Sequence, residues 1–162
     1  MQRFLARLLQ LETLIAGAFY TIAAAILFAD VISREFFAQS IWGGQRAAVL
    51  LANASALIGL GVAVALNRNI RPALLDHLLP ARFDRLIHRL GDLVAASVMF
   101  AGAYFALVLI ADNRAMGFTT PPLDLQIWIP QLALPYGLAS AGIRYLIFAL
   151  APDLRPTERG IA

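Results

Sequence analysis

Four long apolar stretches account for most of this 162-residue chain, at about residues 11–31, 47–66, 90–111 and 129–150. A helix needs about 20 mostly apolar residues to cross about 30 Å of hydrocarbon, and each stretch has that length. Because 60% of the residues are hydrophobic and only 14% are charged, a soluble domain of this size could not bury so much apolar surface. The sequence therefore predicts an all-α integral membrane protein, with four transmembrane helices in a single domain over residues 1–162.

The basic residues indicate how these spans are oriented. All of them are arginines, and most lie in the N-terminal tail, the middle connection and the C-terminal tail: Arg3, Arg7, Arg68, Arg71, Arg82, Arg85, Arg89, Arg155 and Arg159. Since arginine-rich connections stay in the cytoplasm, we expect both termini to be cytoplasmic. The net charge of +3 is then explained by residues that flank the spans, and no nucleic-acid partner is predicted.

The middle connection contains a stretch with helical periodicity between Pro80 and the third span. Its apolar residues recur at helical spacing and its arginines fall on another face, the apolar set being Phe83, Leu86, Ile87 and Leu90. This pattern predicts an amphipathic helix in the cytoplasmic interface before the third span. The alternative is that these residues form an early turn of the third span itself.

Few ionisable residues occur in the spans. Glu12 and Asp92 lie near the cytoplasmic starts of spans one and three, and Arg144 lies about two turns from the cytoplasmic end of span four. Alternating helix directions place all three at a similar depth. A buried charge is costly unless it is paired, so we expect Arg144 to pair with Glu12 or Asp92 in a structural role.

Several kinds of functional site are missing from the sequence. Cysteine is absent, and the two histidines, His77 and His88, both lie in the middle connection. No span carries the relay of charged residues expected of an ion pathway, or a pair of titratable groups suited to catalysis. We therefore predict no catalytic residue, no metal and no cofactor. The pattern is typical of a membrane scaffold that works with a larger partner.

The segments between the spans resemble those of the small membrane (Q) subunit of tripartite ATP-independent periplasmic (TRAP) transporters. The shared features follow the family's order: Arg34 at the end of span one, Trp42-Gly43-Gly44-Gln45 opening span two, Gly59 within it, Asn67-Arg68-Asn69-Ile70-Arg71 with Leu79-Pro80 in the middle connection, and Thr119-Thr120-Pro121-Pro122-Leu123 with Trp128 and Pro135-Tyr136-Gly137 around the start of span four. Three positions depart from the family pattern: Gln45, Asn69 and Ala73 replace the usual Glu, His and Asp.

The resemblance implies a small permease subunit in the bacterial inner membrane. Such a subunit braces a large membrane subunit, which imports an organic acid by symport with an ion. A periplasmic binding protein delivers the substrate. We expect outward contacts with these partners at five residues, for which the alternative is local packing: Trp42, Gln45, Thr119, Thr120 and Trp128.

Two other functions remain open on the sequence alone. One is a membrane anchor subunit of an oxidoreductase complex, although a haem between helices would need histidines inside the spans. The other is a small exporter that works as a homodimer, which would need an acidic residue at mid-span.

Overall fold

A computed structural model describes residues 2–66 and 84–151. The elements follow the chain as α1 (Gln2–Phe37), α2 (Gly44–Ala65), α3 (Asp84–Met116), β1 (Thr119–Thr120), β2 (Leu125–Gln126), α4 (Trp128–Gln131) and α5 (Ala133–Leu150). Leu132, which separates α4 from α5, also has helical backbone angles, so α4 and α5 together form one span. Four helical segments are thus long and apolar enough to cross a membrane.

α1 and α3 extend beyond the predicted apolar stretches at both ends. α1 has 36 residues and is therefore about 54 Å long at 1.5 Å per residue, well above the thickness of the hydrocarbon core. Hydrophobicity ends where the hydrocarbon ends, whereas helical hydrogen bonding continues into the interface. For this reason the charged residues near Arg34 remain helical although they lie outside the predicted span.

The predicted amphipathic segment lies partly outside the described residues. α3 begins at Asp84 and continues without interruption to Met116, so residues 84–90 belong to the same helix as the third span. Residues 67–83, including Pro72 and Pro80, are outside the part of the chain that the structure describes. Whether the whole segment lies in the interface stays a prediction.

The spans are ordered α1, α2, α5 and α3. α2 packs extensively against α1 and α5, and α5 packs extensively against α2 and α3. α1 and α3 therefore occupy the two sides of the arrangement. The exposure of the spans agrees with this order, because 39% of the most apolar part of the α4–α5 span is buried, compared with 11% for α1.

Small residues fill the interior, and large apolar residues point outward. Most of the buried apolar side chains that the structure describes are alanines, and Ala141 is completely buried. In contrast, Leu14, Phe28, Phe36 and Phe105 are each more than 65% exposed. Lipid is as apolar as leucine, so spans associate through close packing of small residues rather than by burying large ones. This distribution is the one expected of a protein whose surroundings are hydrocarbon.

The connection between α1 and α2 touches the connection between α3 and α4. β1 and β2 form a short antiparallel hairpin in the connection that precedes α4. Gly43, at the start of α2, has a positive φ of 71°, and a Cβ at this position would lie 2.5 Å from a methyl carbon of Leu123 in the hairpin. The backbone conformation therefore favours glycine here, and a larger side chain would also displace the side chain of Leu123.

Candidate functional site

An ion pair between the first and last spans is buried inside the described part of the structure. Glu12 of α1 is 1% exposed and Arg144 of α5 is 2% exposed. The Nη2 atom of Arg144 lies 2.5 Å from Oε2 of Glu12, and its Nη1 lies 3.4 Å from Oε1. Two charges so far from water are tolerated only when their geometry is good and their remaining hydrogen-bonding capacity is used.

Two hydroxyl groups of α5 provide those further bonds. Ser140 donates to Oε1 of Glu12 at 2.6 Å and also accepts a hydrogen bond from Arg144. Tyr136 donates to the same Glu12 oxygen at 3.0 Å. Tyr136, Ser140 and Arg144 are four residues apart, so they lie on one face of α5. Together with Glu12 they form a buried polar cluster that links α1 to α5 through side chains.

Two glycines allow α2 and α5 to approach closely around this cluster. A Cβ at Gly61 of α2 would lie 2.8 Å from both Arg144 Nη1 and Ser140 Oγ. A Cβ at Gly137 of α5 would overlap the backbone carbonyl of Leu57. The polar cluster therefore depends on glycine at both positions.

The sequence predicted that Arg144 pairs with either Glu12 or Asp92, but it did not decide between these two partners. The structure brings Arg144 to Glu12, while Asp92 is also buried, in α3. Tyr136 and Ser140 were not predicted as part of the cluster. Their spacing from Arg144 was visible in the sequence, but such residues become candidates only when a charge on a neighbouring helix is known to face them.

A second ionic group fixes the connection between α1 and α2. Asp30 is 1% exposed and pairs with Arg34 at 2.7 Å. Its Oδ1 accepts hydrogen bonds from the Ser40 hydroxyl and from the backbone N–H of Ile41, each at 2.8 Å. One carboxylate thus ties the end of α1 to the residues that lead into α2.

The five predicted contact residues differ in exposure. Trp42 is 73% exposed, and Gln45 and Thr119 are also exposed. Thr120 is only 2% exposed, so it is not presented on the outside of this chain. Trp128 is half-buried; the Arg114 guanidinium lies 5.2 Å from its ring centre, and its Nε1 donates to Gln126 at 2.6 Å. In this structure, then, only the first three are freely presented.

A groove of about 770 Å³ is almost entirely apolar. It lies between α1, α2 and the α4–α5 span, and Phe19, Leu51 and Leu132 are among the residues that line it. Tyr136 also lines it and connects its wall to the buried polar cluster. Within residues 2–66 and 84–151, no group of three or more histidine, aspartate or glutamate side chains is placed to hold a metal ion.

The fold and its polar groups define a multi-pass membrane protein whose strongest polar contacts join its own helices. A family model matches residues 23–153, that of the tripartite ATP-independent periplasmic transporters, DctQ component. The chain belongs to this family and is the small membrane component of a TRAP transporter, as the sequence resemblance predicted. The family is a transporter component and not a class of enzyme. A comparison with curated proteins gives no match.

Proposed function

We propose that this chain braces the large membrane subunit of a TRAP transporter in the inner membrane of a bacterium. The family match over residues 23–153 carries this proposal. The surface supports it, because α1 and α3 each have only one extensive neighbour and expose many large apolar side chains. Exposed apolar surface of this kind is expected of a subunit that is surrounded by lipid and by a larger membrane protein.

In this proposal the substrate pathway belongs to the large subunit. That subunit takes up an organic acid by symport with an ion, and a periplasmic binding protein delivers the acid. The internal pairing of charges in the small subunit supports this division of work. Two ion pairs neutralise charges within the chain: Glu12 with Arg144, and Asp30 with Arg34. Charges that are held in such pairs do not form an ion relay.

The proposed orientation places both termini in the cytoplasm and the two outer connections in the periplasm. The arginine distribution supports it, because the connections that contain Trp42 and Thr119 are poor in arginine. Trp42, Gln45 and Thr119 are then exposed on the side from which the binding protein approaches. We propose these three residues as the outward contacts of the subunit.

Co-purification tests the proposed function. The chain is tagged, expressed with its neighbouring genes, extracted in mild detergent and analysed by mass spectrometry and light scattering. We expect a large polytopic protein in a one-to-one ratio. Recovery of a redox enzyme with a haem absorption band would refute the proposal. A stable monodisperse oligomer of this chain alone would also refute it, and uptake by proteoliposomes that contain only this chain would identify a self-sufficient transporter.

A further inference from the structure

Asn53 is a polar residue near the middle of a span, and it faces away from the protein. It is the tenth of the 22 residues of α2, so it lies within about 2 Å of the midpoint of the helix along its axis. Its side chain is exposed. A span of this length places the carboxamide near the centre of the hydrocarbon, where water is absent.

The carboxamide of Asn53 has no hydrogen-bond partner among the residues that the structure describes. Two serines in the spans do have partners: Ser55 of α2 donates to the Ala16 carbonyl of α1 at 2.7 Å, and Ser97 donates to the Leu93 carbonyl of its own helix at 2.9 Å. An amide has two donors and two acceptor sites. Leaving them unpaired in hydrocarbon is unfavourable, which indicates a partner from outside the chain.

Asn53 lines a groove whose shape suits a helix. The groove has a volume of about 290 Å³. Arg46, Leu50, Asn53 and Leu57 form one stripe along α2, at intervals of four, three and four residues, and Gln131 and Leu134 of the α4–α5 span form the opposite wall. We refer to these six residues as the α2 groove. The α2 residues of the groove are spaced so that they form one face of the helix, and another helix can pack against such a face.

Arg46 gives the groove a charge at its outer end. The side chain is exposed, and within the described residues no carboxylate forms an ion pair with it. Two copies of this chain in one membrane would be related by a two-fold axis along the membrane normal. If they met through this groove, their Arg46 side chains would face each other at the same depth and repel. A second copy is therefore a poor occupant.

The depth of Asn53 excludes two other occupants. A soluble binding protein does not reach the middle of the bilayer. A lipid acyl chain has no hydrogen-bonding group at that depth, so it would leave the carboxamide unpaired. A transmembrane helix from another protein can reach Asn53 with a polar side chain and Arg46 with an acidic one.

We propose that the α2 groove is the docking site for one transmembrane helix of the large membrane subunit. This helix places a hydrogen-bonding side chain opposite Asn53 and an acidic side chain close to Arg46. The inference rests on the proposed function, since it requires the large subunit as partner, but it names the surface and the two polar contacts that the family assignment does not.

Cross-linking in the assembled complex tests the docking site. The chain has no cysteine, so Asn53→Cys gives a single reactive site that carries a benzophenone maleimide. Phe105→Cys is the control, because Phe105 is an exposed residue near the middle of α3. We expect the large subunit to be the main product from position 53, with a clearly lower yield from position 105. Cross-links from position 53 to lipid or to a second copy, or equal yields from both positions, would overturn the proposal.

A second variant separates assembly from folding. Asn53→Leu removes the carboxamide from a position that faces hydrocarbon, so the isolated subunit should be as heat-stable as the wild type or slightly more so. The complex should be about three- to tenfold weaker, as expected for the loss of one interhelical hydrogen bond. Ser97→Leu is the control, since Ser97 bonds within its own helix, and its complex should keep the wild-type affinity. Undiminished assembly of Asn53→Leu would overturn the docking site.

The proposed function and the proposed docking site would be refuted by different results. If the wild-type chain does not co-purify with a large polytopic protein, the proposed function fails. If the wild-type complex forms but position 53 does not cross-link to it, the function stands and the α2 groove is refuted.

Discussion

The substitution Glu12→Gln removes the negative charge from the buried polar cluster and changes almost nothing else. Ser140 and Tyr136 keep an oxygen to which they can donate, because the Gln side chain has a carbonyl at the same place. Arg144, which is 2% exposed, keeps its full charge but loses the carboxylate that lies 2.5 Å from it. The variant therefore isolates the cost of an unpaired buried charge.

That cost is large compared with the stability of a small domain. Removing one partner of a buried ion pair costs about 3–5 kcal/mol, and Gln still accepts a hydrogen bond, so we expect the lower end, about 3 kcal/mol. The matched control is Glu35→Gln, because Glu35 lies in the same helix and is exposed. Its free energy of unfolding should change by less than about 0.5 kcal/mol.

The assay is unfolding of the detergent-solubilised protein by titration with a denaturing detergent. Trp42 and Trp128 provide the fluorescence signal, as they are the two tryptophans of the chain. A loss of less than about 1 kcal/mol for Glu12→Gln would mean that water or detergent reaches the cluster, and would refute the interpretation of a sealed ion pair.

A double substitution tests whether the pair acts as a unit. Glu12→Leu and Arg144→Leu each leave one buried charge alone, whereas the double variant leaves none. We expect the loss in the double variant to be smaller than the sum of the two single losses by about 2 kcal/mol or more. Strict additivity would show that the two side chains do not interact in solution.

Two further outcomes follow from close contacts elsewhere. Gly137→Ala should lower the free energy of unfolding by about 1–3 kcal/mol in the same assay, because the new methyl group overlaps the carbonyl of Leu57. The control Gly59→Ala should leave the free energy of unfolding unchanged, because its methyl group meets no atom within 4 Å. An equal loss in both variants would contradict close packing of α2 on α5. Asp30→Ala should speed hydrogen exchange of the Ile41 amide several-fold, because that amide loses its hydrogen-bond acceptor. Unchanged exchange would show that the Asp30 carboxylate does not stabilise the connection between α1 and α2.

The spans were predictable because hydrophobicity is a local property. Each helix needs only its own run of apolar residues to be recognised, and the four predicted stretches overlap the four observed spans, with Leu66 lying one residue beyond the end of α2. The helix ends were not predictable in the same way. α1 continues to Phe37 and α3 begins at Asp84, and both positions lie outside the apolar stretches. The helices continue there because backbone hydrogen bonding does not require apolar side chains.

The contacts between helices were only partly predictable. Depth alone made Glu12 and Asp92 equal candidates for Arg144, since both lie near the cytoplasmic start of their span. The choice depends on which helices are neighbours and how each is rotated, and neither is encoded in a hydropathy pattern. Asn53 and Ser55 illustrate the same limit, because residues two apart in one helix point about 200° apart. Here Ser55 bonds to α1 and Asn53 faces outward.

The order of the spans in space has a consequence for how the chain assembles as it is synthesised. α1 and α2 are consecutive and pack together, so they can form a hairpin as soon as both have entered the membrane. α3 enters next, but its extensive neighbour is α5, which has not yet been made. α3 must therefore wait in lipid without its partner, and it is the most hydrophobic of the four spans, with a mean hydropathy of 2.4.

The last span has the opposite property. Its mean hydropathy is 1.3, the lowest of the four, and it carries Arg144. When it enters the bilayer, Glu12 is already there to receive the arginine, and Gly61 of α2 leaves room for it. Insertion of the least apolar segment can thus use a site that the earlier segments have prepared, and its packing against both α2 and α3 connects α3 to the α1–α2 hairpin.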